Sequence, residues 1–152
     1  MSSWGTLAVY RMRKVYTLLL SALLLWAWAL PDFGRWYPYP EALALAQAHG
    51  RMVMVYFHSE HCPYCQQMNT FVLSDPGVSR LEARFVVASV SVDTPEGQEL
   101  ARRYRVPGTP TFVFLVPKAG AWEEVGRLFG SRPRAEFLKE LRQVCVKGGA
   151  CG

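Results

Sequence analysis

Hydrophobic and polar positions repeat along this chain with several different periods, and each period predicts an element. Met52, Val53, Met54, Val55, Tyr56 and Phe57 are apolar without a break, the pattern of a strand buried on both faces. Helical spacing follows at Cys65, Met68, Phe71 and Val72 and predicts a helix over 62–73. Before that strand, residues 41–49 are rich in Ala and Leu and stop at Gly50, a helix with its terminator. After the motif helix, Ser74-Asp75-Pro76-Gly77 predicts a turn and 78–84 a short helix. Residues 85–92 alternate β-branched and small side chains and predict a second strand. Thr94 is a candidate cap, with Pro95 at the first position of a helix over 94–104. Residues 111–116 and 123–129 predict two strands joined by a turn over 117–121. Residues 133–145 predict a last helix with Phe137, Leu138, Leu141, Val144 and Cys145 on one face. The order is helix, βαβ, helix, two strands, helix. Its first part implies parallel pairing with a right-handed crossover, and its short turn an antiparallel hairpin. Phe57, Phe112 and Phe114 are core candidates.

The N-terminal pattern is different. Arg11, Arg13 and Lys14 precede a predominantly apolar run over 15–30, and no acidic residue occurs before Asp32. A positive region, an apolar stretch and the small residues Ala27 and Ala29 form a secretory signal with cleavage after Ala29. The alternative is an uncleaved anchor. As a helix, 15–30 would reach roughly 24 Å, short of the roughly 30 Å hydrocarbon core, with Trp26 and Trp28 placed for an interface. A signal or an anchor exports the remainder to the periplasmic or other extracytoplasmic side, where disulfides persist; a buried core helix is the further alternative, and the preceding basic cluster argues against it. The expected organisation is a signal peptide or membrane anchor over 1–29, a Pro- and aromatic-rich linker over 30–40, and one domain over 41–152.

Composition narrows the picture further. With 152 residues, 51 % of them hydrophobic, the chain is long and apolar enough for one cored domain. Its net charge of +5 owes three positive residues to the N-terminal cluster, and no basic stripe interleaves with aromatics elsewhere. A nucleic-acid partner is therefore not expected.

The chemistry sits in His61-Cys62-Pro63-Tyr64-Cys65, a C-x-x-C directly after a strand and opening a helix. That placement suits thiol–disulfide exchange. Unpaired N–H groups at a helix start stabilise a thiolate, and the thiolate is the species that attacks a disulfide. Pro63 fits the first helical position. Cys62, at the helix start with its sulfur expected to be exposed, is the candidate attacking thiol. Cys65, on the apolar face, is the candidate resolving thiol. A structural disulfide or half of a zinc site is the alternative, with Cys145 and Cys151 as the further ligands. His61, Glu60 and Pro63 are candidate neighbours that tune the thiol. His61 is equally read as an exposed loop histidine, His58 as a packing residue, and His49 as a helix-end residue. Cys145 and Cys151, bracketing Lys147-Gly148-Gly149-Ala150, are candidates for a local structural disulfide. A second redox pair and an intermolecular link are the other readings.

The element order, together with C-x-x-C at the first strand–helix junction and Val106-Pro107-Gly108-Thr109-Pro110-Thr111 ahead of the third strand, resembles the thioredoxin superfamily. The resemblance implies an α/β thioredoxin fold: a central four-stranded mixed sheet flanked by helices, here preceded by the signal or anchor helix. It makes Pro110 a cis proline lying against the active-site cysteines, with Thr109, Pro110 and Tyr64 as substrate contacts. In wording, residues 58–78 are similar to exported bacterial thioredoxins of sulfur oxidation and to the C-terminal domain of membrane disulfide reductases. Implied are protein disulfide or dithiol substrates, no cofactor, and a membrane electron-donor protein if the domain reduces its clients. Two positions depart from the family. His61 stands where tryptophan is usual, and Tyr56 stands where a buried acid is usual, leaving Glu60, His61 or water to move the proton. A non-catalytic partner-binding module with a static disulfide is the competing function.

Overall fold

The computed structural model of the protein describes residues 3–28 and 31–151. They fall into two units, Met1–Asp32 and Phe33–Gly152. The first unit is helix α1, Ser3–Trp28, rich in Leu and Ala and free of proline. It begins well ahead of the apolar run and carries Arg11, Arg13 and Lys14 on its own turns. Val15, Leu18, Leu19 and Leu23 are each more than half exposed. No described helix is long and apolar enough to cross a membrane. The expected cleavage position at Ala29 lies outside the described residues.

The second unit is built on a sheet of strands β1 (Trp36–Pro38), β2 (Val53–His58), β3 (Val86–Ser91), β4 (Thr111–Lys118) and β5 (Ala121–Phe129), in spatial order β1-β3-β2-β4-β5. β1, β3 and β2 run parallel, and β4 and β5 are antiparallel to their neighbours. This is the expected thioredoxin architecture with one addition. The 30–40 stretch is not wholly a linker, because Trp36–Pro38 pairs with Val87–Ser89 and makes the sheet five-stranded. Three residues are too few to show a period, and Pro38 is tolerated because it sits on an edge strand. Helix α2 (Tyr39–His49) follows at once and ends on Gly50 at φ 61, a left-handed cap.

β2 is the centre of the unit. Alternation along it sends Met54 and Tyr56 to one face and Val53, Val55 and Phe57 to the other, all fully buried. On the first face they meet Phe85, Phe112, Phe114, Phe137, Leu141 and Cys145. On the second they meet Ala42 and Ala46 of α2, with Leu100 packed alongside. Helices cover both faces, which is why the sequence of β2 is continuously apolar. The covering helices are α2 and α5 (Pro95–Arg103) on one side. On the other are α3 (Pro63–Met68), α4 (Pro76–Glu82) and α6 (Arg134–Lys147). Thr94 caps α5 by accepting the Gly97 N–H at 3.0 Å, as its sequence position predicts. β4 and β5 are longer than expected, because the turn is only Ala119 and Gly120, both at positive φ (49° and 79°). That conformation matches the twist of a two-residue hairpin.

One apolar position is misplaced by periodicity. Phe71 was expected on the buried face with Met68 and Val72, but it is 71 % exposed. The cause is a π-helical turn over Asn69–Leu73, directly continuing α3. Widening one turn rotates the following residues. The buried face passes from Met68 to Val72 and Leu73, and Phe71 turns to solvent.

Glu82, at the end of α4, is only 4 % exposed, and one of its carboxyl oxygens has no hydrogen-bond partner. Burial pushes its pKa up to about 8, against a weaker opposing hydrogen bond from Trp36. The folded value lies above the ordinary 4.5, so the fold favours the protonated acid. The stability this group contributes is complete below pH 4.5 and is lost as pH rises to about 8. Urea unfolding at a series of pH values is expected to show this loss, at most about 1.4 kcal/mol per pH unit from this one group. Glu82→Gln is expected to flatten the profile in that window, and an unchanged slope would contradict the assignment.

Candidate active site

β2 ends at His58, and after four more residues the chain enters α3 at Pro63. Cys62 is the N-cap of α3, with Pro63 in its first turn. Its Sγ accepts the Cys65 N–H at 3.1 Å, and its carbonyl accepts the Gln66 N–H at 3.2 Å. The sulfur thus occupies the acceptor position that Ser or Asp holds in ordinary caps. Cys62 and Cys65 form a disulfide with Cα atoms 5.2 Å apart. Cys65 is 1 % exposed, as its place on the apolar face predicts. Cys62 is also largely covered, at 7 %, where an exposed sulfur was expected: in this oxidised state its Sγ is bonded to Cys65 and lies over the helix start.

β4 pairs antiparallel with β2, and Thr111 lies opposite Phe57. This register brings the residue before β4 to the end of the sheet from which Cys62 emerges. That residue is Pro110, buried and joined to Thr109 by a cis peptide bond. Its loop is held from both sides. The Thr111 hydroxyl donates to the Gly108 carbonyl at 2.6 Å, and the Gly130 N–H donates to the Pro110 carbonyl at 2.9 Å. Tyr64, between the cysteines, is 63 % exposed. With Gln67 and Phe71 it forms one wall of a groove of about 600 Å³, facing Ser131, Arg132 and Arg134.

The remaining candidates sit around this end. Tyr56, in place of the usual acid, is fully buried, stacks on Phe112 with centroids 4.8 Å apart, and donates its hydroxyl to Asn69 Oδ1 at 3.0 Å. Burial, with the nearby Glu82 charge, pushes its phenol up to about 12, so it stays neutral. His58 is half-buried, its Nε2 2.7 Å from Ser89 Oγ and its ring against Tyr56. Burial lowers its pKa despite the opposing charges of Asp93 and Glu60. A packing role fits that environment. His61 and Glu60 are exposed in the turn before Cys62, where the Glu60 N–H donates to Asp93 and the His61 N–H to Ser59. Asp93 and Glu82 escaped the sequence reading. Asp93 resembles any acid after a strand, and Glu82 falls on a short helix whose pattern does not demand an acid inside.

The other two cysteines are elsewhere. Cys145 is buried in the last turns of α6 and bonded to Cys151. The loop between them packs so closely that a Cβ on Gly148 would fall 2.2 Å from Met52 Sδ. Met52 precedes β2 and Cys62 follows it, so the two disulfides occupy opposite ends of the central strand. The four sulfurs therefore pair two and two and do not converge as zinc ligands.

Fold and site define the class: a thiol–disulfide oxidoreductase of thioredoxin fold. Comparison with known proteins agrees. The thioredoxin-like domain family matches residues 39–145, and the chain belongs to that family. The thiol:disulfide interchange protein DsbD of Pseudomonas fluorescens is 30 % identical over 105 residues, which are 68 % of this chain but only 18 % of that protein's length. A solution structure of a thioredoxin from Thermus thermophilus is 99 % identical and covers 78 % of this chain and 92 % of its own, with a TM-score of 0.72. The reduced DsbD C-terminal domain of Neisseria meningitidis, 20 % identical, covers 72 % of this chain and 98 % of its own at a TM-score of 0.56, a likeness of fold.

Non-reducing peptide mapping of the purified protein is expected to recover 62 joined to 65 and 145 joined to 151. A 65–145 or 62–151 peptide would refute the geometry described here.

Proposed function

We propose that the protein is an exported thiol–disulfide oxidoreductase that reduces protein disulfides, with Cys62 as the attacking thiol and Cys65 as the resolving thiol. The observation that carries this reading is the Cys62 sulfur at the cap of α3, accepting the Cys65 N–H at the sheet end where the Pro110 loop lies. Donors aimed at a sulfur favour its ionised form. In the reduced protein the Cys62 thiolate attacks one sulfur of a client disulfide. A Cys62–client disulfide forms, and the other client sulfur leaves as a thiolate. Cys65 then gives up its proton, attacks Cys62 Sγ and releases the second client thiolate. The client gains two electrons, and the 62–65 pair becomes the disulfide. A dithiol protein at the membrane returns the pair to the reduced state, and no cofactor takes part. Thr109, Pro110 and Tyr64 contact the client backbone, with Pro63, Glu60 and His61 shaping the environment of the attacking sulfur.

The name of the Pseudomonas relative, a thiol:disulfide interchange protein, supports the chemistry. The basic cluster followed by the apolar run supports export, with 1–29 as leader or anchor. Cys145–Cys151 serves as a structural clip of the C-terminal loop, with a chain-entropy contribution of about 2 kcal/mol.

Insulin reduction with dithiothreitol as electron source tests the assignment. Cys62→Ser is expected to fall to the uncatalysed background, and Cys65→Ser to accumulate a mixed disulfide with the client. Turnover surviving the loss of Cys62 would reassign the nucleophile, and a wild-type protein without turnover would favour the static binding module. Export is tested separately. Residues 1–40 fused to alkaline phosphatase are expected to give activity that depends on 15–30, and an inactive fusion would remove the localisation.

A further inference from the structure

The turn that delivers Cys62 is tied to another strand by a carboxylate outside the C-x-x-C. Asp93 follows β3, and both of its oxygens are used: the Ser59 hydroxyl donates to Oδ1 at 2.7 Å and the Glu60 N–H to Oδ2 at 2.8 Å. Ser59 Oγ in turn accepts the His61 N–H at 3.1 Å. Three bonds therefore converge on the residues directly before Cys62. Asp93 is itself held firmly. Its N–H donates to Ser91 Oγ at 3.3 Å, and Thr94 Oγ1 donates to the Ser91 carbonyl at 3.0 Å. The start of α5 presses against this corner so closely that a Cβ on Gly97 would lie 1.7 Å from Ser91 O. The clamp thus joins a rigid corner to the turn between β2 and the C-x-x-C helix.

We propose that Asp93 and Ser59 are positioning residues for the attacking sulfur: they hold turn 59–61 so that Cys62 stays at the cap of α3 and its sulfur keeps the Cys65 N–H. The proposal rests on the reading of Cys62 as nucleophile and adds to it a determinant outside the motif. The carboxylate also carries a charge, and that charge acts in the opposite direction. A negative group near a thiolate disfavours ionisation, so removal of charge alone would make Cys62 more acidic. A loosened turn releases the N–H from the sulfur and makes Cys62 less acidic. The titratable groups facing this turn are His58, Glu60, His61 and Asp93. Asp93 is exposed, and its charge is screened by water and salt, whereas hydrogen-bond geometry is not. Positioning is therefore the larger effect.

The opposed signs make the test decisive. Iodoacetamide alkylation of Cys62 in the reduced full-length protein is followed from pH 4 to 10 for the wild type, Asp93→Ala, which removes both of its acceptor oxygens, and Ser59→Ala. Ser59→Ala keeps the Asp93 charge but removes two of the three bonds. Both variants are expected to shift the Cys62 profile to higher pH and to slow alkylation at pH 6 about threefold or more, the factor that half a pKa unit makes in thiolate fraction. Ser59→Thr, which keeps the hydroxyl, is expected to restore the wild-type profile. A downward shift for Asp93→Ala with Ser59→Ala unchanged would assign a charge effect and overturn the proposal. Lower melting temperatures with unmoved profiles would make the clamp merely structural and also overturn it. A wild-type Cys62 titrating like an ordinary thiol would instead overturn the nucleophile reading, and the wild-type curve alone reports that.

Discussion

The site depends on where β2 stops. β2, parallel to β3 and antiparallel to β4, is fixed in register on both sides, and Phe57 lies opposite both Val90 and Thr111. The next residues must leave the sheet, and they leave it into α3. One end of one strand therefore sets the Cys62 cap, the approach of the Pro110 loop and the reach of Asp93 from the end of β3. None of these is a separate feature. A shift of β2 by one residue would exchange the Met54–Tyr56 face for the Val53–Val55–Phe57 face and move Cys62 off the helix start. The buried phenylalanines, Phe57, Phe112 and Phe114, are in this sense as much a part of the site as the sulfurs are. They hold the register that places them.

Much of this was legible in the sequence, for physical reasons that particular residues illustrate. β2 was visible because burial on both faces leaves no room for a polar position between Met52 and Phe57. The cysteine helix was visible because Pro63 and the spacing of Cys65 and Met68 are local signals. The Pro110 loop was visible only by resemblance, since nothing local distinguishes Thr109-Pro110 from any other proline turn. Phe71 was misread because a π-helical turn leaves no signature in a 3.6-residue period. β1 was missed because its pairing with β3 is non-local and Trp36–Pro38 is too short to alternate. Asp93 and Glu82 share the cause: one acts through a turn more than thirty residues away in sequence, and the other is buried by the packing of α4. Propensity and spacing describe neighbours in sequence, and both acids take their meaning from neighbours in space.

Glu82 and Tyr56 show how the domain accommodates polar groups beneath its active end. A carboxyl and a phenol lie close enough for the charge of one to raise the pKa of the other. Burial keeps both neutral near pH 7, which avoids the cost of an unpaired buried charge. The phenol is satisfied by Asn69, on the turn that continues α3. The same turn donates the Asn69 N–H back to the Cys65 carbonyl. A buried polar cluster on the core face is thereby connected through the backbone to Cys65, without any charge entering the core.

The two disulfides make a final comparison possible, because they share a bond and differ in surroundings. Cys62 stands at the first turn of a helix, where the Cys65 N–H is donated to its sulfur. Cys145 stands in the last turns of α6, at the carbonyl end of the helix, where the Ala150 and Cys151 N–H groups bond its own carbonyl. A thiolate is favoured at the first position and disfavoured at the second by the same helix dipole. Burial adds to the difference, since Cys145 is fully enclosed by the main core while Cys62 lies at its edge. A leaving thiolate at 145 would have to be expelled into an apolar layer packed against Met52. Exchange at that pair is opposed by its electrostatics and by its packing, whereas at the 62–65 pair the helix N–H groups assist it. The polarity of two helices thus gives chemically identical bonds opposite tendencies at the two ends of one strand.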